Sequence, residues 1–199
     1  MKKILLAISL FATTNVIANE KEDLKNLLAN VDGLSAIFSQ SVVDQDNNLI
    51  MEAEGELVFK QPNQFSWKVK SPEEELLLSN GEELWYYSPF LEQVTIYNTK
   101  DKLITTPFAL LVSNDEEVWK NFNISKEKNN YIIESKNNVY SNIEKLLVSF
   151  KNKVIEKIVV LDSTQQEITY DLSNQKVNKD LSYNFNFIIP DNISIDDNR

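Results

Sequence analysis

The chain has 199 residues, 42% of them hydrophobic, enough for one well-buried domain and requiring no second. It carries a formal charge of -10 and contains neither cysteine nor histidine. That excludes disulfides, thiol nucleophiles, thiolate metal sites and an acylatable cysteine, removes the commonest general base and zinc ligand, and leaves carboxylate chemistry or a Ser/Lys pair for any catalysis.

The first residues, "MKKILLAISLFATTNVIANE", place two lysines before an apolar stretch from Ile4 to Ala12 and small residues before a cut after Ala18. This predicts a cleaved secretory signal over 1–18, too short and too weakly apolar to anchor in a membrane, and a single exported domain over 19–199. Removing Lys2 and Lys3 deepens the net charge from -10 to -12, which argues against nucleic acid and anionic lipid as partners.

Asn19 and Glu22 resemble a capping box, and Leu24, Leu27, Leu28 and Val31 recur at helical spacing, so an amphipathic helix opens the domain. After Gly33 the period becomes two. Leu34, Ala36 and Phe38 alternate with polar residues, "DQDNN" turns the chain, and Met51, Ala53, Gly55, Leu57 and Phe59 share one strand face opposite Glu52, Glu54 and Glu56. Phe65, Trp67 and Val69 repeat the pattern. Asn80-Gly81 predicts a tight hairpin into "ELWYY", where Leu84 and Tyr86 point one way and Trp85 and Tyr87 the other. Both faces of that strand need cover, and a helix or lid is expected over it.

"EQVTIYN" gives the next strand. Thr106 then caps a short apolar helix with Pro107 at its first position and Phe108, Leu110, Leu111 and Val112 following, and Ser113 with Glu116 suggests a second cap. Strands resume through "YIIES", "KLLVSF", "KVIEKIVVLD", "EITYDLS" and "YNFNFII". The pattern is mainly β with some α: about eleven strands in a large curved antiparallel sheet or incomplete barrel. Such a sheet encloses either a filled core or a pocket for an apolar ligand. Small Ala53 and Gly55 beside bulky Phe65 and Trp67 thin the wall at one place and set the pocket level with the filled core as an expectation.

Other motifs fail. "DQDNNL" starts like a calcium loop, but Leu49 stands at the turn glycine and Gly55 at the bidentate acid, so a hairpin turn is expected. The acidic runs "PEEE" and "NDEEV" have no opposing partner for glycoside chemistry and read as solvated faces. The sequons at Asn123 and Asn192 mean little if the signal segment is a bacterial one.

The stretch "FKQPNQFSWKVKSPEEELLLSNGEELWYYSPFLEQVT", then "TTPFALL" and "IPDNISIDDNR", resembles in order and spacing the LolA family of periplasmic lipoprotein carriers, over nearly all of 19–199. The resemblance implies an unclosed β-barrel under an α-helical lid, no catalysis, no cofactor and no metal. It further implies a periplasmic monomer that takes triacylated lipoproteins from an inner-membrane LolCDE-type ABC transporter to an outer-membrane LolB-type acceptor. Carried onto this chain, the acyl-chain-binding residues are Leu28, Val31, Phe38, Phe65, Trp67, Tyr86, Phe108 and Leu111. Gln61 stands where the family has an arginine that latches the lid; a neutral amide there predicts a looser lid. A lipid- or lipoprotein-sensing module of the same fold and a carboxylate-dependent hydrolase are the alternatives.

Overall fold

The computed structural model describes residues 20–31, 33–99, 111–113, 115–136, 143–178 and 180–199. The expected signal segment, the Asn19 cap and the helix start at Thr106, Pro107 and Phe108 lie outside these residues. Helix α1 (Glu20–Ala29) buries Leu24 and Leu28 on one stripe and carries Glu20, Glu22 and Asp23 in its first turn, where the helix dipole favours negative charge. Strands β1 (Leu34–Val43), β2 (Leu49–Lys60), β3 (Gln64–Ser71), β4 (Glu75–Asn80), β5 (Glu83–Ser88) and β6 (Gln93–Asn98) follow as a meander. After helix α2 (Glu116–Lys120) come β7 (Phe122–Glu127), β8 (Asn130–Ser135), β9 (Ile143–Lys151), β10 (Val154–Asp162), β11 (Glu167–Val177) and β12 (Ser194–Asp197).

The strands form one sheet in the order β12-β6-β5-β4-β3-β2-β1-β11-β10-β9-β8-β7. Every pairing is antiparallel except β12 with β6, and among the described residues none joins β7 to β12, so the barrel is unclosed. Its concave face holds one apolar core, reached by Leu24, Leu28 and Val31 from α1 and its end and by Leu111, Val112 and Trp119 from around α2. The turn expected at "DQDNN" is a hairpin fixed by Asp44, whose carboxylate accepts from the backbone N–H groups of Asp46 and Asn48 at 2.9 and 2.8 Å. At the Asn80-Gly81 hairpin, Gly81 takes φ +100°, and Asn80 Oδ1 accepts from the N–H groups of Glu82 and Glu83.

Four expectations change. Among the described residues the sheet has twelve strands: β7 offers only Phe122 and Ile124, half-buried against the main core, and β12 is exposed throughout, so neither stands out as a strand in the sequence. "YNFNFII" is no strand at all: residues 181–190 run extended without joining the ladder. Their alternation is nonetheless used, since Phe185 and Phe187 lie on the outer face of the sheet in a second core with Leu78, Trp85, Val94 and Ile96. That arm, and not a helix, covers the outward side of β5, while Leu84 joins the main core inside. Finally, the residue that caps α2 is Asp115, which accepts from the Glu117 N–H at 2.9 Å; Ser113 Oγ instead accepts from the Asp115 N–H.

Candidate functional site

Period-two alternation on the strands and the 3.6 period of α1 aim the predicted residues at one interior. Leu28, Val31, Phe38, Phe65, Trp67 and Leu111 belong to a single buried cluster. Phe108 lies outside the described residues. Tyr86 does not join the cluster. It sits half-buried further along the concave face, donating from its hydroxyl to Glu75 Oε1 at 2.8 Å. Burial, with the Glu75 carboxylate adding to it, pushes its phenol up to about 12.

Among the described residues, packing is tight where the cover meets the wall. Between the cover and the wall, Leu111 and Val112 face Leu57, Phe59, Phe65, Ile155, Ile158 and Leu172 around a void of only about 10 Å³. The thin wall expected at Gly55 is no opening. A Cβ built there would lie 2.6 Å from Phe38 Cζ and 2.0 Å from the Lys68 carbonyl oxygen, so the missing side chain seats the Phe38 ring. That ring stacks on Trp67 at 3.7 Å and 17°, and Tyr170 meets the Trp67 edge at 5.1 Å and 89°. Burial raises the Tyr170 phenol. On the far side of this aromatic layer lies a chamber of about 400 Å³, lined by Gln40, Met51, Ala53, Val69, Leu77 and Tyr86 among others.

The cover is fastened at both ends. Gln61, half-buried, lies in the β2–β3 turn; two residues on, the Asn63 N–H donates to the Val112 carbonyl at 3.3 Å. Asn63 Oδ1 is buried with no hydrogen-bond partner among the described residues, which weakens this end by about 1–3 kcal/mol relative to a fully paired one. Trp119 anchors the same segment, its indole N–H donating to the Ser113 carbonyl at 2.8 Å. At the α1 end, Asp23 Oδ2 accepts from Lys126 Nζ and from the Tyr131 hydroxyl, both at 2.6 Å. Lys25 pairs with Glu116 and ties α1 to α2.

The Asp23 contacts span more than a hundred residues, and no local pattern could have announced them. They hold the Asp23 carboxyl below the ordinary aspartate range, the Lys126 hydrogen bond first and Tyr131 second. A depressed folded value stabilises the closed cover above the unfolded value, about 3.9, and the contribution is lost as pH falls through the folded one. The pair is exposed and contributes no more than about 1 kcal/mol. Asp23→Asn is therefore expected to speed amide exchange across 20–31 up to about fivefold at neutral pH while β1 to β3 stay protected. Unchanged exchange in α1 would mean that packing alone holds it.

An unclosed antiparallel half-barrel with an apolar concave interior and a helical cover defines a class of small carrier and binding proteins. The chain belongs to the outer membrane lipoprotein carrier protein LolA family, whose family model matches residues 29–187, and whose members are carriers and not enzymes. It is 37% identical over 204 residues to an outer-membrane lipoprotein carrier protein of Serratia proteamaculans, covering 100% of both chains. With the protein of the same description from Photorhabdus laumondii it shares 34% identity over 203 residues, again covering 100% of each.

Two solved structures share the fold at 10% identity. A LolA superfamily protein from Nitrosomonas europaea superposes with a TM-score of 0.51 over 83% of this chain and 96% of its own. An uncharacterized conserved protein from Thermus thermophilus does so with a TM-score of 0.54 over 88% and 98%.

Proposed function

We propose that the protein is a periplasmic carrier, exported by a signal cleaved after Ala18 and folded as one domain over 19–199. It holds the acyl chains of lipoproteins between barrel and cover and passes them from an inner-membrane LolCDE-type transporter to an outer-membrane LolB-type acceptor. The observation that carries this reading is the apolar seam where Leu111 and Val112 of the cover face Phe59, Phe65 and Leu172 of the wall. With a void of only about 10 Å³ there, cargo enters by lifting the cover, and Leu28, Val31, Phe38 and Trp67 are the next surfaces it meets.

Energetics set the order of events. Burial is worth about 0.8 kcal/mol per CH₂, so each long chain costs on the order of 10 kcal/mol to lift from a bilayer, and a loader must supply that work. Release runs downhill when the acceptor's pocket is the better one. The weak fastenings suit this: a neutral Gln61, an unpaired Asn63 Oδ1 and an exposed Asp23 pair favour opening.

An apolar fluorescent probe should bind and be displaced by a triacylated peptide. Leu111→Glu should weaken it by about tenfold or more, since a carboxylate among these side chains costs well over about 1.4 kcal/mol. Undiminished binding in Leu111→Glu, or mass spectrometry of protein from the periplasm that finds no lipoprotein co-purifying, overturns the proposal.

A further inference from the structure

The strands that line the seam continue past it. On β2 the concave residues run Phe59, Leu57, Gly55, Ala53, Met51, and on β3 they run Phe65, Trp67, Val69. Leu57, Phe59 and Phe65 line the void under the cover, whereas Met51, Ala53 and Val69 line the chamber of about 400 Å³. Gly55 lies between the two groups, with the Phe38 ring in its place and Trp67 stacked on that ring. The concave face is thus partitioned by one aromatic layer. Among the described residues the inner part is closely packed under Leu111 and Val112, and the outer part is a chamber with Trp67 as its floor that opens beside the exposed Met51.

Size and charge limit what can fill it. The volume is at the lower end for ligand pockets. The walls are apolar at Met51, Ala53, Trp67, Val69 and Leu77, and the polar groups are Gln40, Tyr86, Glu73 and Glu75. Among the described residues no basic side chain lines it. The two lysines of β3 that flank Val69 are both paired elsewhere, Lys68 with Glu74 at 2.6 Å and Lys70 with Glu56 at 2.5 Å. Two carboxylates therefore stand at the mouth of an apolar slot, where they repel an anionic head and tolerate an uncharged one.

We propose that this outer chamber is a second site, which takes one acyl chain joined by an ester to an uncharged head and refuses the same chain as a free carboxylate. Its occupant is one chain of the cargo, so the source of the ligand rests on the carrier reading, while the head-group selectivity rests on the chamber alone. Among the described residues no part of the cover lines the site.

The test compares 1-monododecanoylglycerol with dodecanoate below their aggregation limits at pH 8, by calorimetry and by quenching of Trp67 with the brominated chains. The glycerol ester should bind at least about tenfold more tightly, since each like charge at the mouth of an apolar slot costs on the order of 1.4 kcal/mol. Glu73→Gln with Glu75→Gln, which keeps the shape, should cut that preference severalfold by improving dodecanoate. Ala53→Phe should fill the chamber and abolish Trp67 quenching by either ligand, and Leu111→Glu should leave it intact. Equal affinity for the two heads, or quenching that survives Ala53→Phe, overturns the proposal. If quenching is lost in Leu111→Glu and kept in Ala53→Phe, the chamber is no site and the carrier reading stands. A protein that binds neither ligand nor triacylated peptide overturns both.

Discussion

Replacing Phe185 with alanine is expected to destabilise the protein by about 3 kcal/mol, a large loss for a residue outside every strand. Phe185 is 5% exposed and fills the second core against Leu78, Trp85, Val94 and Ile96. Its ring lies 4.8 Å from that of Tyr183, whose hydroxyl donates to Ser66 Oγ at 2.9 Å. Beyond it the arm is held by β12 on β6, by the Ser194 N–H donating to the Glu92 carbonyl at 2.8 Å, and by Arg199, which pairs with Glu83 and with both oxygens of Asp197. The truncated side chain therefore leaves a cavity under a tethered strap that cannot collapse onto it. At about 2–4 °C per kcal/mol for a domain of this size, the midpoint of thermal unfolding should fall by roughly 6–12 °C. Trp85 emission should shift to the red as water reaches its ring. Ile188→Ala, at an exposed position on the same arm, is the control and should change neither. A Phe185→Ala protein that melts with the wild type would mean that the arm merely rests on the sheet.

Most of the concave face was legible because a strand's side chains alternate, so one correct register exposes every inward residue at once. Phe38, Phe65 and Trp67 were found this way, and Leu24, Leu28 and Val31 by the helical period. The same alternation misled at Tyr183, Phe185 and Phe187, because a chain laid across a sheet buries alternate residues as well as a chain within it. Only the hydrogen-bond partners distinguish the two, and sequence does not carry them. β7 and β12 are hard to read for the opposite reason: as edge strands they bury little, β7 only Phe122 and Ile124 against the main core, and β12, exposed throughout, is held chiefly by backbone pairing. The fastenings of the cover join Asp23 to Lys126 and Asn63 to Val112, positions that topology brings together and spacing does not. The outer chamber was half legible, since Tyr86 and Ala53 were singled out, but the two glutamates at its mouth read only as a solvated face.

Gly55 did carry a local signal, that of a lone glycine inside a strand, which marks a bulge or a close backbone approach more often than a thin wall. Here it marks both. The register between β2 and β3 shifts between Glu54 and Gly55, and the Lys68 carbonyl and the Phe38 ring close over the position. Gly55→Ala is accordingly expected to destabilise the protein by about 2–3 kcal/mol, toward the upper end of what an added methyl costs in a filled interior. The two obstacles can be separated. Phe38 is a side chain and can be shortened, whereas the Lys68 carbonyl, 2.0 Å from the added Cβ, is backbone held in the ladder. Phe38→Leu should therefore relieve only part of the Gly55→Ala penalty, and a double-mutant cycle in chemical denaturation should give a favourable coupling of about 1 kcal/mol, leaving the remainder to the displaced strand. Full relief would place the whole clash on the ring. If Gly55→Ala is as stable as the parent, the Phe38–Trp67 stack is not seated on this glycine, and the wall there has room that a chain could use.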